Sequence, residues 1–194
     1  HGLGSAPRMI IIKDRSNARN WGVYHQDMGN LDAIYLDLNN AKGGNSSAFW
    51  NSTSPTSSVF SINTRNEVNA SSANYVAYCF AEKQGYSKFG SYQGNSSNDG
   101  TYIHLGFSPA FFLFKNSSSA GSWVLVDAKR PGFNVINDSL NTNNSNAENT
   151  ATVCDFTSNG VKLRTNADHM NGSYPYIFMA FAENPFVTST GVPA

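Results

Sequence analysis

Short apolar stretches separated by clusters of polar and turn-forming residues run along the whole chain. Each stretch spans about five to eight residues, as strands do, and no window repeats its apolar positions with the period of a helix. This pattern is typical of an all-β sandwich or barrel. The predicted strands are Met9–Lys13, Trp21–His25, Ala33–Leu38, Ala48–Asn51, Ser57–Ile62, Tyr75–Glu82, Gly85–Tyr92, Phe111–Lys115, Trp123–Asp127, Thr152–Phe156, Gly160–Arg164 and Tyr176–Glu183.

One of these stretches occurs twice. Tyr75–Glu82 and Tyr176–Glu183 both begin with Tyr and end with Phe-Ala-Glu, at an offset of 101 residues. Earlier segments also recur: Pro109 follows Pro7, and Lys115 follows Lys13, at an offset of 102 residues. A constant offset that changes once, by a single residue, indicates an internal duplication.

The duplication predicts one domain, 1–194, made of two pseudo-symmetric repeats, residues 1–93 and 101–188. Tyr75–Glu82 carries apolar side chains on both faces, so we expect a buried strand in the middle of the assembly. The predicted architecture is therefore a β-sandwich, of jelly-roll or concanavalin-like type, in which both halves share one core. Two separate domains in tandem are the alternative.

Charge is scarce and balanced. Lys and Arg number 13, Asp and Glu number 13, and the formal net charge is zero. Without a basic surplus we expect no binding to nucleic acid and no electrostatic attachment to a membrane surface. No run of eighteen apolar residues exists, so no membrane insertion is expected.

The sequence contains few residues that could form a metal site or a reactive thiol. Cys79 and Cys154 are the only cysteines, and we expect both to be small buried hydrophobic residues. No further Cys or His stands at the spacing of a zinc site. The loop Asn95–Gly100 lacks the spacing and the closing Glu of a calcium loop. The sequence therefore predicts no metal and no cofactor.

Glu82 and Glu183 could suggest catalysis, because glycosidases use two carboxyl groups. Their equivalent positions favour a structural role instead, such as capping a turn or pairing with Lys13 or Lys115. The chain has no Ser nucleophile elbow and no metalloprotease motif, and His25 stands in no ligand pattern. We therefore predict no catalytic residues and a protein that is not an enzyme.

Aromatic and amide side chains are the remaining candidates, since sugar-binding sites often stack a sugar ring on an aromatic residue beside polar side chains. Trp21 and Trp123 are related by the repeat, so we expect them in the core. Trp50 has no such counterpart, and the loops Gly94–Gly100 and Asn137–Asn149 lie where the halves differ. The predicted ligand-binding residues are Trp50, Tyr86, Tyr92, Asn95, Asp99 and Asn143.

Several strings of residues resemble a domain of unknown function found in tail and fibre proteins of bacteriophages, especially marine and cyanobacterial ones. They are Gly2–Pro7, Asn69–Ser71, Tyr75–Glu82, Gly85–Tyr92, Ala182–Phe186 and Gly191–Pro193. The resemblance covers nearly the whole chain, although the Asn-rich loop of the second half departs from the pattern. It implies a β-rich virion protein, extracellular, at or near the host-contacting end of a tail or fibre.

The sequence features and the resemblance together leave three alternative functions. The first is a non-enzymatic module that binds a host cell-surface glycan or receptor. The second is a purely structural fibre spacer, or a capsid or tail decoration protein. The third, a polysaccharide depolymerase, would use Glu82 and Glu183. The expected partners are the host glycan or receptor, other virion proteins and further copies of the chain, with a trimer favoured.

Overall fold

β-Strands account for most of the regular structure in a computed structural model of the chain, which describes residues 1–44 and 47–185. The sheets are antiparallel and open, and the described residues form no barrel. The chain divides into two compact units, unit 1 (residues 1–81) and unit 2 (residues 82–194). The prediction of an all-β protein is confirmed at this level.

Unit 1 contains five strands and most of the short helices of the described chain. The strands are β1 Met9–Asp14, β2 Gly22–His25, β3 Asp32–Tyr35, β4 Gly43–Gly44 and β5 Tyr75–Phe80. Between them lie the 3-10 turn Gln26–Met28 and the helices α1 Ser47–Trp50 and α2 Asn66–Asn69. The sheet order is β4-β3-β2-β1-β5, and β1 and β2 form an antiparallel hairpin.

One hydrophobic core cluster of unit 1 lies on one face of this sheet. Alternate residues of a strand point to the same face, so Ile10 and Ile12 of β1 pack there beside Tyr24 of β2. The two short helices add Phe49, Trp50 and Val68 to the cluster. Cys79 packs half-buried against it and is a free thiol.

Unit 2 is built from two sheets. Its strands are β6 Ser87–Gln93, β7 Tyr102–His104, β8 Pro109–Asn116, β9 Val124–Asp127, β10 Leu140–Asn141, β11 Cys154–Thr157, β12 Gly160–Leu163 and β13 Pro175–Ala182, with the helix α3 Asp168–Asn171 before the last strand. One sheet has the order β10-β9-β8-β13-β6, and the other has the order β11-β12-β7. Phe112 and Phe178 of the first sheet share one core cluster with Val161 and Leu163 of the second.

Two predicted strands are wrong. Ala48–Asn51 falls largely in the helix α1, and Ser57–Ile62 forms no strand. Phe49 and Trp50 are neighbours in sequence and both are buried. Successive side chains of a strand point to opposite faces, whereas one helical turn directs both of these rings into the same core cluster.

The position of β5 also differs from its prediction. β5 lies at the edge of its sheet, and Ala77 and Tyr78 are exposed. Its sequence counterpart β13 is central in its sheet and almost entirely buried. The strand β6, which the sequence assigned to the first repeat, pairs with β13 in unit 2. The prediction of one domain with a shared core stays a prediction.

Candidate functional site

The six predicted ligand-binding residues do not form one site. Trp50 belongs to unit 1, whereas the other five belong to unit 2. Trp50 does not lie at the surface as predicted: it is 1% exposed, and its indole Nε1 donates a hydrogen bond to the backbone oxygen of Asp32 at 3.1 Å. The indole therefore fills the core and cannot contact a ligand without local unfolding.

Tyr86 and Tyr92 also pack against other aromatic rings of unit 2. Tyr92 is buried, stacks on Tyr176 with ring centroids 4.7 Å apart, and donates its hydroxyl to the Met170 oxygen at 2.7 Å. Burial raises the pKa of Tyr92 well above its ordinary value. Tyr86 is half-buried against the ring of Phe181. Tyr92 is therefore a core residue whose ring and hydroxyl group are both engaged within unit 2.

Asn95 and Asp99 hold their own loop together. The side-chain nitrogen of Asn171 donates to Asn95 Oδ1 at 2.8 Å, and Asn95 Nδ2 donates to the Asp99 oxygen at 3.0 Å. The Asp99 carboxylate pairs with Lys162 at 2.7 Å, and this hydrogen bond lowers the pKa of Asp99. These contacts hold the loop together, while the Asp99 side chain itself remains 83% exposed.

Asn143 has a similar role in the Asn-rich loop. Its Oδ1 accepts a hydrogen bond from the backbone nitrogen of Trp123 at 3.0 Å, while its Nδ2 lies 3.4 Å from Ser122 Oγ. In unit 1, Asp37 Oδ1 accepts from the backbone nitrogen of Trp21 at the same distance. Asn143 and Asp37 thus make the same hydrogen bond to the backbone of a Trp, so Asn143 has a structural role.

The two repeated carboxylates take different partners in the folded chain. Glu82 Oε2 accepts from the backbone nitrogen of Phe89 at 3.3 Å. Glu183 pairs with Lys129 at 3.4 Å, on an exposed surface. The described residues contain no group of three or more His, Cys, Asp or Glu that could hold a metal ion. No helix in the part of the chain that the structure describes is long and apolar enough to cross a bilayer.

The lysines at the ends of β1 and β8 do not pair with these glutamates. Lys13 Nζ donates to the Arg19 oxygen. Lys115 is fully buried, and its Nζ donates to the oxygens of Asn116 and Ser119 at 2.6 and 3.4 Å. Desolvation lowers the pKa of Lys115 to about 8. Because carbonyl oxygens of the following turn surround this amine and no solvent reaches it, Lys115 is placed to hold the turn.

A cleft in unit 2 offers a better binding surface, which we call the Phe133 cleft. Its volume is about 190 Å³. Phe133 stands at its side with 85% of its surface exposed, which is unusual for so large an apolar side chain. Phe156 and Ile136 supply further apolar surface, and the cleft is lined by Ser108, Pro109, Ala128, Gly132, Phe133, Asn134, Ile136, Phe156 and Glu183.

Hydrogen bonds fix the floor of the Phe133 cleft. Asn134 Nδ2 donates to the Phe156 oxygen at 2.6 Å, and Asn134 Oδ1 accepts from the Phe156 nitrogen at 2.9 Å. This pair of bonds ties the loop that carries Phe133 to β11. The exposed Glu183 carboxylate and the Ser108 side chain place polar atoms beside the two rings. An exposed ring on an anchored loop, next to a few polar groups, suits a small amphipathic ligand such as a sugar.

Sequence reasoning missed Phe133 because Arg130–Asn134 has no strand pattern. The available signal was a single aromatic residue between Gly132 and Asn134, inside a turn that begins Arg-Pro-Gly. An aromatic side chain flanked by turn-forming residues has no neighbouring strand positions with which to share a core. That context, more than the number of aromatic residues, predicts exposure.

Comparisons with known proteins identify one family. Searches of curated proteins and of solved structures found no significant match. A family model described as "Domain of unknown function (DUF7483)" matches residues 1–185. Since that match covers nearly the whole sequence, the chain belongs to the DUF7483 family of domains of unknown function.

Proposed function

We propose that this protein is a non-enzymatic, extracellular module of a bacteriophage virion that binds a host-surface carbohydrate through the Phe133 cleft. The resemblance to phage tail and fibre domains supports the virion setting, as does a low-charge, Asn- and Ser-rich composition. The observation that carries the binding role is the exposure of Phe133 beside Phe156, Asn134 and Glu183. The ring would stack on the apolar face of a sugar, and the polar side chains would orient its hydroxyl groups.

The negative charge of Glu183 indicates which class of sugar the cleft would bind. Its carboxylate is exposed at the cleft and pairs with Lys129 only at 3.4 Å, so it can accept hydrogen bonds from ligand hydroxyl groups. A carboxylate or sulfate on the ligand would be repelled by it. We therefore expect a neutral hexose or a similar uncharged sugar, in preference to an acidic one.

Binding to a glycan array tests this proposal. The wild-type protein should bind a subset of neutral glycans. Phe133→Ala should weaken that binding by about three- to tenfold, because ring stacking is lost. Leu31→Ala is the matched control, since Leu31 is an exposed apolar residue of unit 1. Equal binding by Phe133→Ala and the wild type, with both proteins folded, would contradict the proposal.

We also infer that the two units are repeats of one ancestral fold. The sheets β3-β2-β1-β5 and β10-β9-β8-β13 have the same strand order. The registers agree as well: Met9 pairs with His25 and Phe80, and Phe111 pairs with Asp127 and Phe181. The helices α2 and α3 precede the last of these strands in both units. The predicted sandwich has its best support in unit 2, where two sheets share a core cluster.

A structural role, as a fibre spacer or decoration protein, is the second candidate. The observation that favours it lies in unit 1, where β5 is at a sheet edge and Tyr78 is 47% exposed. Uncovered apolar edges are characteristic of proteins that assemble with others. A depolymerase is a weaker third proposal, since it would need Glu82 and Glu183 to act as a pair, and the Glu82 carboxylate already accepts a backbone hydrogen bond from Phe89.

A further inference from the structure

We propose that the open edge of β5 accepts an additional antiparallel strand from another polypeptide segment, with the character of β6 but with a bulky apolar side chain near its centre. This inference does not depend on carbohydrate binding. It rests on the comparison of β5 with β13, which are paired to β1 and β8 in the same register. β13 is covered on its other edge by β6, whereas β1 is the only described strand that pairs with β5.

The backbone of β5 is oriented to receive such a strand. The oxygens of Asn74 and Phe80 accept hydrogen bonds from the nitrogens of Arg15 and Arg8, which flank β1, so these positions face β1. Because backbone groups alternate along a strand, those of Tyr75, Ala77 and Cys79 point to the opposite side. In unit 2 the corresponding side of β13 is paired with β6 from Pro175 to Phe181.

The sequence of β5 lacks the usual protection of a sheet edge. Natural edge strands carry charges, Pro or bulges that prevent pairing with other chains. Tyr75–Phe80 contains none of these, and no charged residue lies between Glu67 and Glu82. An uncharged, regular edge strand of this kind is suited to strand addition.

The occupant needs a larger side chain than β6 has at one position. In unit 2, Phe178 of β13 faces Gly90 of β6, and a Cβ on Gly90 would lie 2.9 Å from the Phe178 ring. Ala77 takes the place of Phe178 in β5, so the ring that excludes a side chain is missing. A cavity of about 450 Å³ lies there, lined by His1, Phe60, Ala77, Tyr78, Cys79 and Phe80.

Two synthetic peptides test the proposal. One has the sequence of residues 85–94, and the other carries Gly90→Leu. We expect the leucine peptide to bind one site per chain, roughly tenfold more tightly than the native peptide, because it buries its side chain against Phe60 and Ala77. Hydrogen exchange measured by NMR should show new protection of the Ala77 and Cys79 amides when the peptide binds.

Variants at Ala77 provide the decisive comparison. Ala77→Pro removes an outward N–H group, and Ala77→Lys places a charge in the cavity, so both should weaken the leucine peptide at least tenfold while the chain stays folded by circular dichroism. Leu31→Lys, at an exposed position outside β5, should bind normally. Peptide binding that both Ala77 variants retain would overturn the proposal. A concentration-dependent dimer that Ala77→Lys abolishes would also overturn it, since the occupant would then be a second copy of β5.

Discussion

Trp50 occupies an environment opposite to the one predicted from the sequence, whereas Phe133 is exposed, as its turn context indicates. Trp50 follows polar and turn-forming residues and has no repeat counterpart, yet one turn of helix carries it into the core. Phe133 lies in a short turn and projects into solvent. The residue type gives the apolar area of each ring, but only the backbone around it decides whether that area is buried.

Trp50 is therefore expected to contribute to stability and to have no part in binding. Trp50→Phe removes the indole N–H that the Asp32 oxygen accepts and leaves a cavity, so the free energy of unfolding should fall by about 1–3 kcal/mol. Urea denaturation measures this loss. Phe133→Ala is the comparison variant and should change stability by less than about 0.5 kcal/mol. Loss of glycan binding by a stable Trp50→Phe protein would show that the prediction is wrong.

Lys115 predicts a distinct dependence of stability on pH. Its folded-state pKa is lowered from 10.5 to about 8, so the unfolded chain binds more protons between these values. Stability should therefore rise as the pH increases from about 8 to 10.5, by up to roughly 3 kcal/mol for this group. Below pH 8 Lys115 is charged in the folded protein, so the free energy of unfolding is lowered by the full amount.

Lys115→Met isolates this contribution, because Met keeps much of the apolar stem and cannot be protonated. The difference in unfolding free energy between Lys115→Met and the wild type should shrink as the pH increases from 8 to 10.5. Urea unfolding at several pH values provides the measurement. A difference that is independent of pH over this interval would show that solvent reaches the amine in the folded protein.

At the scale of elements, the turns that follow β1 and β8 make equivalent backbone hydrogen bonds, but the accepting side chain is a carboxylate in one unit and an amide in the other. Asp14 Oδ1 accepts from the backbone nitrogens of Ser16 and Asn17, and Asn116 Oδ1 accepts from those of Ser118 and Ser119. Burial opposes the charged form of Asp14, but hydrogen bonds from Asn17, Ser16 and Arg19 outweigh it and lower its pKa. Unit 2 has a neutral amide in the same place.

This difference makes Asp14 sensitive to acid. Since its folded pKa is below the unfolded value, its contribution to stability is present above about pH 4 and is lost as the pH falls through the folded pKa. Asp14→Asn copies the side chain found at position 116 and should lose less stability than the wild type between pH 4 and 2. Thermal unfolding across this range measures the effect, and parallel pH profiles of the two proteins would contradict it.

The elements also show what the sequence can and cannot predict. Most strands were predicted within a few residues, because their alternation of apolar and polar positions is local. The edge position of β5 was not predictable in this way: Tyr75–Phe80 is as apolar as Tyr176–Phe181, and only the partner strand β6 distinguishes them. Likewise the Phe133 cleft depends on Asn134 bonding to Phe156, a contact between residues 22 positions apart.

At the scale of the whole molecule, acidic and basic residues balance, and many of them are engaged in local ion pairs. The numbers of acidic and basic residues are equal, and the described residues include eight ion pairs. Most of these pairs are partly exposed, so each contributes little to stability. Long-range electrostatic steering of a partner needs a surplus of one sign of charge, which this composition lacks.

Ligand binding at the Phe133 cleft should accordingly be almost independent of salt. Affinity for a neutral glycan should change less than about twofold between 50 and 500 mM NaCl, because no counterions are released from the ligand. A polyanion held by many basic groups would lose on the order of a thousandfold or more between 50 and 200 mM salt. Calorimetric titration at these salt concentrations distinguishes the two cases.

Glu183→Gln provides the matched control for this salt experiment. It keeps the size and the hydrogen-bonding oxygen of the side chain but removes the negative charge beside the cleft. Binding of the neutral glycan should persist in this variant with the same weak salt dependence, while acidic glycans that the wild type rejects should gain affinity. A steep loss of neutral-glycan binding with salt, in either protein, would mean that charge and not the exposed ring controls recognition at this cleft.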